Sequence, residues 1–205
     1  RCSALRVLCV QEDVADRVLD MLKGAMAELS VGDPGRLSTD VGPVIAAEAR
    51  GGILDHVEAM RRKGRRVHSA RLSETCRRGE FAPPTLIEIE RLSELEREVF
   101  GPVLSVLTFE TDDEAVAIAN DTEFGLAAGI WTRSLARAMS MPKRLHAGTV
   151  WVNAYRVVSY LAPFGGVKES GIGRENGADA IYEYLEAKSV FINCGPPAAN
   201  PFTLQ

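Results

Sequence analysis

The sequence predicts an α/β fold organised around a mostly parallel sheet. Short apolar runs rich in β-formers alternate with stretches of helical periodicity, and the second half reads strand, helix, strand, helix, strand. The 205 residues suffice for one full-sized core. Hydrophobic residues make up 46% and charged residues 25%, the balance of a globular protein.

The first run, residues 4–10 (ALRVLCV), has the length and composition of a buried strand. Asp13 can cap a helix whose apolar positions Val14, Val18, Met21, Leu22, Ala25, Met26 and Leu29 recur at helical spacing. Gly32-Asp33-Pro34-Gly35 breaks the chain into a loop. A second helix is expected over 46–63, with Ile53, Val57 and Met60 on one face. It ends in the basic run Arg61, Arg62, Lys63, Arg65 and Arg66, where cations suit the helix dipole and a solvated face accounts for them.

From Phe81 onward strands dominate. Residues 85–89 (TLIEI) alternate after Pro83-Pro84, and 103–109 (VLSVLTF) read as a buried strand. Thr111 and Glu114 form a T-x-x-E capping box ahead of a helix over 115–120. A strand over 127–131, a helix over 134–145 kinked by Pro142, and a strand over 149–153 complete the alternation. A loop-rich region follows, then a short helix near 179–186 and a last strand over 188–193 (KSVFIN). The tail 195–205 holds three prolines and reads as a surface arm.

Several function classes are disfavoured at once. The net charge of −4 gives no reason to expect nucleic acid or an anionic membrane as the main partner. No apolar stretch approaches the roughly 20 residues of a membrane span, and no secretory signal is visible. Cys2, Cys9, Cys76 and Cys194 form no CxxC pair, and His56, His68 and His146 stand alone, so no metal site is expected. The thiols read as reduced and the chain as cytoplasmic. Gly171-Ile172-Gly173 with Gly177 has the wrong spacing for a dinucleotide fingerprint and reads as tight backbone turns.

Four motifs stand in register: Arg1-Cys2-Ser3-Ala4-Leu5-Arg6, Glu98-Val99-Phe100-Gly101-Pro102, Gly148-Thr149-Val150-Trp151-Val152-Asn153 and Pro163-Phe164-Gly165-Gly166-Val167-Lys168-Glu169-Ser170-Gly171. Their order and spacing resemble the aldehyde dehydrogenase superfamily, from its catalytic cysteine to its C-terminus. The resemblance implies a three-layer αβα catalytic domain over residues 1–186, with an oligomerisation strand and arm over 187–205. Cys2 matches the nucleophile, whose thiolate adds to an aldehyde and forms a thiohemiacetal. Hydride then leaves for NAD or NADP, and the thioester is hydrolysed. The oxyanion donors in that family are the cysteine's own N–H and an asparagine side chain. The asparagine, the general-base glutamate and the nucleotide-binding domain would all lie upstream, so the chain reads as the C-terminal half of such an enzyme.

The same resemblance assigns Glu98 to the nicotinamide ribose and Phe100 to the side of the nicotinamide. Phe164 matches an aromatic of the aldehyde tunnel, and Arg156, Val157 and Val158 occupy positions that tune specificity. A guanidinium at 156 would suit aldehydes with a distal carboxylate. The first half is most similar to the glutamate-semialdehyde dehydrogenase module of proline-utilisation proteins. Residues 167–175 take instead the form found in betaine- and semialdehyde-type enzymes. The expected partners are a small aldehyde and further copies of the chain, as a homodimer or tetramer joined through 188–193. Rival readings are a non-catalytic assembly fragment lacking the cofactor domain, a glutamate-semialdehyde-specific dehydrogenase, and a thioester resolved by coenzyme A rather than water.

Overall fold

A computed structural model describes residues 1–195. Its main sheet has four strands in the order β1-β4-β3-β2: β1 (Val7–Gln11), β2 (Val67–Ser69), β3 (Thr85–Glu88) and β4 (Val103–Phe109). β1 and β3 both run parallel to β4, and β2 adds an antiparallel edge. A parallel pair, β6 (Ala127–Ile130) with β7 (Thr149–Val152), stands apart from it, as does the short antiparallel pair β5 (Phe124–Gly125) with β8 (Val167–Lys168).

Helices cover both faces of the main sheet, and the pleat decides which residue meets which helix. On one face α1 (Glu12–Ala27) packs Ala15 and Leu19 with Val10, Leu86 and Val106. On the other, α2 (Ala47–Arg62) packs Ile53, Val57 and Met60 with Ile87, Val103 and Leu107, and Ile118 of α3 (Asp112–Asn120) joins them. Leu86 and Ile87 are neighbours in β3 that point to opposite layers, both almost wholly buried. The result is the expected three-layer arrangement.

Several local expectations shift. The first strand starts at Val7 rather than at residue 4, because 1–4 close a turn through the Ala4 N–H to the Arg1 carbonyl (3.2 Å). Gln11, not Asp13, caps α1, its side-chain oxygen accepting from the Asp13 N–H. Val14 and Met21, placed by periodicity on the buried stripe, are exposed. Thr111 does cap α3, accepting from the Glu114 N–H at 3.2 Å. Glu114 reaches back to the Glu110 N–H instead of completing the reciprocal box. The helix expected over 134–145 stops as α4 (Leu135–Ser140) and tightens into a 3₁₀ turn at Met141–Lys143, since Pro142 removes a donor from the ladder. The segment expected as a helix at 179–186 is a 3₁₀ stretch, Ala178–Tyr184.

Residues 188–193 form no strand within the described residues, and Val190, Phe191 and Ile192 are exposed. β-propensity alone does not make a strand; a ladder needs a neighbouring edge, and among the described residues none pairs with this segment. The basic run is tied into ion pairs, Arg61 with Glu58, Lys63 with Glu96, Arg65 with Glu90 and Glu94, and Arg66 with Glu88. Gly171 and Gly177 sit at φ +131° and +74°, which only glycine adopts without strain, so the glycine-rich stretch serves backbone turns. Among the described residues no helix is long and apolar enough to cross a membrane.

Candidate active site

An open cleft of about 2030 Å³ lies beside β1, an edge strand of the main sheet, and is also lined by β6. Cys2 stands at it in the turn that precedes β1, with an exposed thiol. The Cys2 N–H makes no hydrogen bond within the described residues. Arg6 donates to the Arg1 carbonyl at 3.0 Å and so fastens the turn to the start of the strand.

Glu98 lines the same cleft, on the loop between β3 and β4. Its Oε1 accepts from Arg6 Nε at 3.2 Å, which leaves lone pairs of the carboxylate for a hydroxyl-bearing ligand. Phe100 is half exposed, and the Arg6 guanidinium lies 4.7 Å from its ring centre. A ring with one face on a cation and an open edge can receive a planar ligand group. The loop is held from behind, for a Cβ at Gly101 would come within 2.3 Å of the Ile53 Cδ1.

The loop that follows β7 closes another side. Asn153 brackets Thr132 with two hydrogen bonds, accepting from its N–H at 2.9 Å and donating to its carbonyl at 2.8 Å. The Trp151 indole donates to the Val157 carbonyl at 2.8 Å and turns the loop back. Tyr155 then meets the cysteine turn: its phenol accepts from the Leu5 N–H at 3.0 Å and stands 3.5 Å from the Ser3 carbonyl. Its ring meets Trp151 edge-on at 6.0 Å.

The structure therefore brings together Cys2 and Glu98, with Phe100 joined to them through Arg6. Arg156, Val157 and Val158 are exposed on the neighbouring loop and are not among the cleft-lining residues. Arg156 takes a left-handed backbone (φ +56°) and reaches the Tyr155 ring at 6.0 Å. Phe164 lies apart, its backbone bridged to Glu175 by hydrogen bonds of 2.6 and 2.7 Å. Tyr155 and Arg6 escaped the reading of the sequence as site residues. Both sit inside quoted motifs or next to them, but nothing in their local spacing shows the long-range contacts they make.

Cys9 and Cys76 differ from Cys2, whereas Cys194 is exposed as Cys2 is. Burial pushes Cys9 up to about 11, and Cys76 is buried with its sulfur 3.4 Å from the Val31 carbonyl.

Residues 1–190 match the aldehyde dehydrogenase family. The chain belongs to that family. It is 45% identical over 198 residues to the bifunctional protein PutA of Klebsiella aerogenes, covering 92% of this chain and 15% of that protein. It is 38% identical over 200 residues to a betaine aldehyde dehydrogenase of Cereibacter sphaeroides, covering 95% of this chain and 41% of the relative. Among solved structures, betaine aldehyde dehydrogenase from Staphylococcus aureus in complex with NAD+ superposes with a TM-score of 0.92 at 33% identity, over 99% of this chain and 41% of that one. This aldehyde dehydrogenase chain thus spans about two-fifths of the betaine aldehyde dehydrogenases it matches, and a smaller part of PutA.

Proposed function

We propose that this chain is the cysteine-bearing, C-terminal catalytic part of an NAD(P)-dependent enzyme that oxidises an aldehyde to its carboxylic acid. The observation that carries the reading is the meeting of an exposed Cys2 thiol and the Glu98 carboxylate at one cleft, in a member of the aldehyde dehydrogenase family. The cleft exceeds the roughly 300–1,000 Å³ of an ordinary ligand pocket. It also has a sheet-edge strand along one wall. Both features suit a surface completed by more of the same polypeptide, as the greater length of the relatives suggests.

Cys2, as thiolate, attacks the aldehyde carbon, and its sulfur holds the substrate as a thiohemiacetal and then as a thioester. The unengaged Cys2 N–H is the donor for the oxyanion that develops on the carbonyl oxygen. Glu98 binds a ribose hydroxyl, and Phe100 flanks the ring beside it. NAD(P), when bound, supplies the hydride acceptor. Water enters to hydrolyse the thioester and frees the thiol. Arg156, Val157, Val158 and Phe164 form the specificity region, with Arg156 favouring aldehydes that carry a carboxylate.

Residues 1–186 constitute the catalytic domain in this reading, and 187–205 the oligomerisation arm. The exposed Val190, Phe191 and Ile192 are the apolar row that a second copy would cover in a homodimer or tetramer. The test uses the complete polypeptide that carries this chain, assayed with NAD+ and NADP+ on neutral, cationic and anionic aldehydes. Cofactor-dependent oxidation that disappears in Cys2→Ala is expected. Oxidation that survives in Cys2→Ala would overturn the assignment.

A further inference from the structure

We infer that Arg6 is a positioning residue that aims the Cys2 N–H and holds Glu98 and Phe100 in one fixed relation to it. The inference rests on the reading of Cys2, Glu98 and Phe100 given above. Arg6 makes three contacts at once: Nη2 to the Arg1 carbonyl at 3.0 Å, Nε to Glu98 Oε1 at 3.2 Å, and the guanidinium carbon over the Phe100 ring, 4.7 Å from its centre. Its side chain is only 20% exposed, so these contacts are not those of a solvated surface arginine. Its backbone is fixed as well, since the Arg6 carbonyl accepts from the Ser105 N–H of β4 at 3.0 Å. The fork therefore projects from the rigid sheet to two soft pieces of chain, the 1–4 turn and the loop around Glu98.

The contact with Arg1 carries the most chemistry. The Arg1 carbonyl and the Cys2 N–H belong to one planar trans peptide unit and point in opposite directions. A cation held on that oxygen sets the direction of the N–H on the far side. It also polarises the unit, which strengthens the N–H as a donor. The Ala4 N–H, 3.2 Å from the same oxygen, adds a second anchor. Orientation of the oxyanion donor is thereby coupled to the placement of the cofactor-facing side chains through one residue. Only arginine has both the planar fork and the stacking face that this needs; a lysine ammonium can serve one of the contacts but not all three.

The test compares parent, Arg6→Lys, Phe100→Leu, the Arg6→Lys/Phe100→Leu double variant and Cys2→Ala in the complete polypeptide. The readouts are kcat and KM for NAD(P)+ per active site, with sites counted by stoichiometric alkylation of Cys2, together with the midpoint of thermal unfolding. Arg6→Lys is expected to lower kcat about 100-fold, as a misaimed catalytic group does, and to raise the cofactor KM. On the cofactor KM the double variant is expected to fall short of the product of the two single-variant changes, because Arg6 acts there partly through Phe100 and partly through Glu98. A kcat within threefold of the parent in Arg6→Lys overturns the inference. So does a lowered unfolding midpoint with unchanged constants per active site, which would make Arg6 structural only. Additive losses in the double variant also overturn it. Cys2→Ala separates the two levels: activity retained there defeats the underlying assignment, whereas activity abolished there with Arg6→Lys unharmed defeats only the role of Arg6.

Discussion

The phenol of Tyr155 accepts a hydrogen bond from the Leu5 amide at 3.0 Å, joining the loop after β7 to the turn that carries Cys2. Tyr155→Phe removes this bond while keeping the ring against Trp151. The bond is exposed, so the expected loss is about 1 kcal/mol, a fall of roughly 2–4 °C in the unfolding midpoint. The effect on kcat should be larger than that loss implies, because the freed turn carries the candidate nucleophile. Calorimetry and steady-state kinetics on the same preparation measure both.

Gly101 packs against a buried side chain, and Gly101→Ala is expected to destabilise by about 1–3 kcal/mol. The new methyl would meet the Ile53 Cδ1 at 2.3 Å and Cγ1 at 2.9 Å. Ile53→Val deletes the nearer atom, so the double variant should recover part of the loss. Urea midpoints of the two single variants and the double variant decide it; additivity would mean that the clash is not the cause.

Gly148→Ala should be worse and should have no such remedy. Its Cβ would lie 1.7 Å from the Gly165 carbonyl oxygen, which is backbone and cannot rotate away. A loss at or above the roughly 3 kcal/mol upper range for overpacking is expected, seen as low soluble yield or an early urea midpoint.

Cys9 links burial to pH. Its thiol is raised from 9.0 to about 11 by burial, so the folded chain holds that proton more tightly than the unfolded one. The associated stability is intact below about pH 9 and is lost as the pH rises through about 11. It amounts to at most about 2–3 kcal/mol. Relative to the parent, Cys9→Ala should show a flatter decline of the urea midpoint across that window. The same burial should leave Cys9 unalkylated at pH 8 while the exposed Cys2 and Cys194 react, as peptide mapping would show.

Arg156→Ala tests the specificity proposal. If its guanidinium grips a substrate carboxylate, the preference in kcat/KM for anionic over neutral aldehydes should fall at least about tenfold. An unchanged ratio would remove Arg156 from the substrate site.

The fold was legible wherever a residue's surroundings follow from its neighbours in sequence. Residues 103–109 form β4 residue for residue, because a mainly apolar run, interrupted only by Ser105 and Thr108, fits a strand largely buried on both faces. Ile53, Val57 and Met60 are buried as their spacing requires. The sequence was less informative where the outcome depends on a distant edge. Residues 188–193 have the composition of a strand and pair with none among the described residues. Exposed Val14 and Met21 show the same limit on α1, since periodicity marks an apolar flank without saying what covers it.

The candidate site divides in a similar way. Cys2 and Glu98 could be picked out because their motifs keep a fixed register. Tyr155 and Arg6 could not, since their importance lies in contacts across 150 and 92 residues. The aromatic ring just after Asn153 was the signal available for Tyr155, and it lay one residue from the position singled out.

The parallel pairing of β1 with β4 also sets a timetable. Val7 lies opposite Ser105, about 100 residues further along the chain. A ribosome adding about 5–20 residues per second needs roughly 5–20 s to bring β4 out after β1. Throughout that interval β1 lacks its β4 neighbour. In the nascent chain, the segment carrying the candidate thiol is therefore made well before the strand that holds β1 in place.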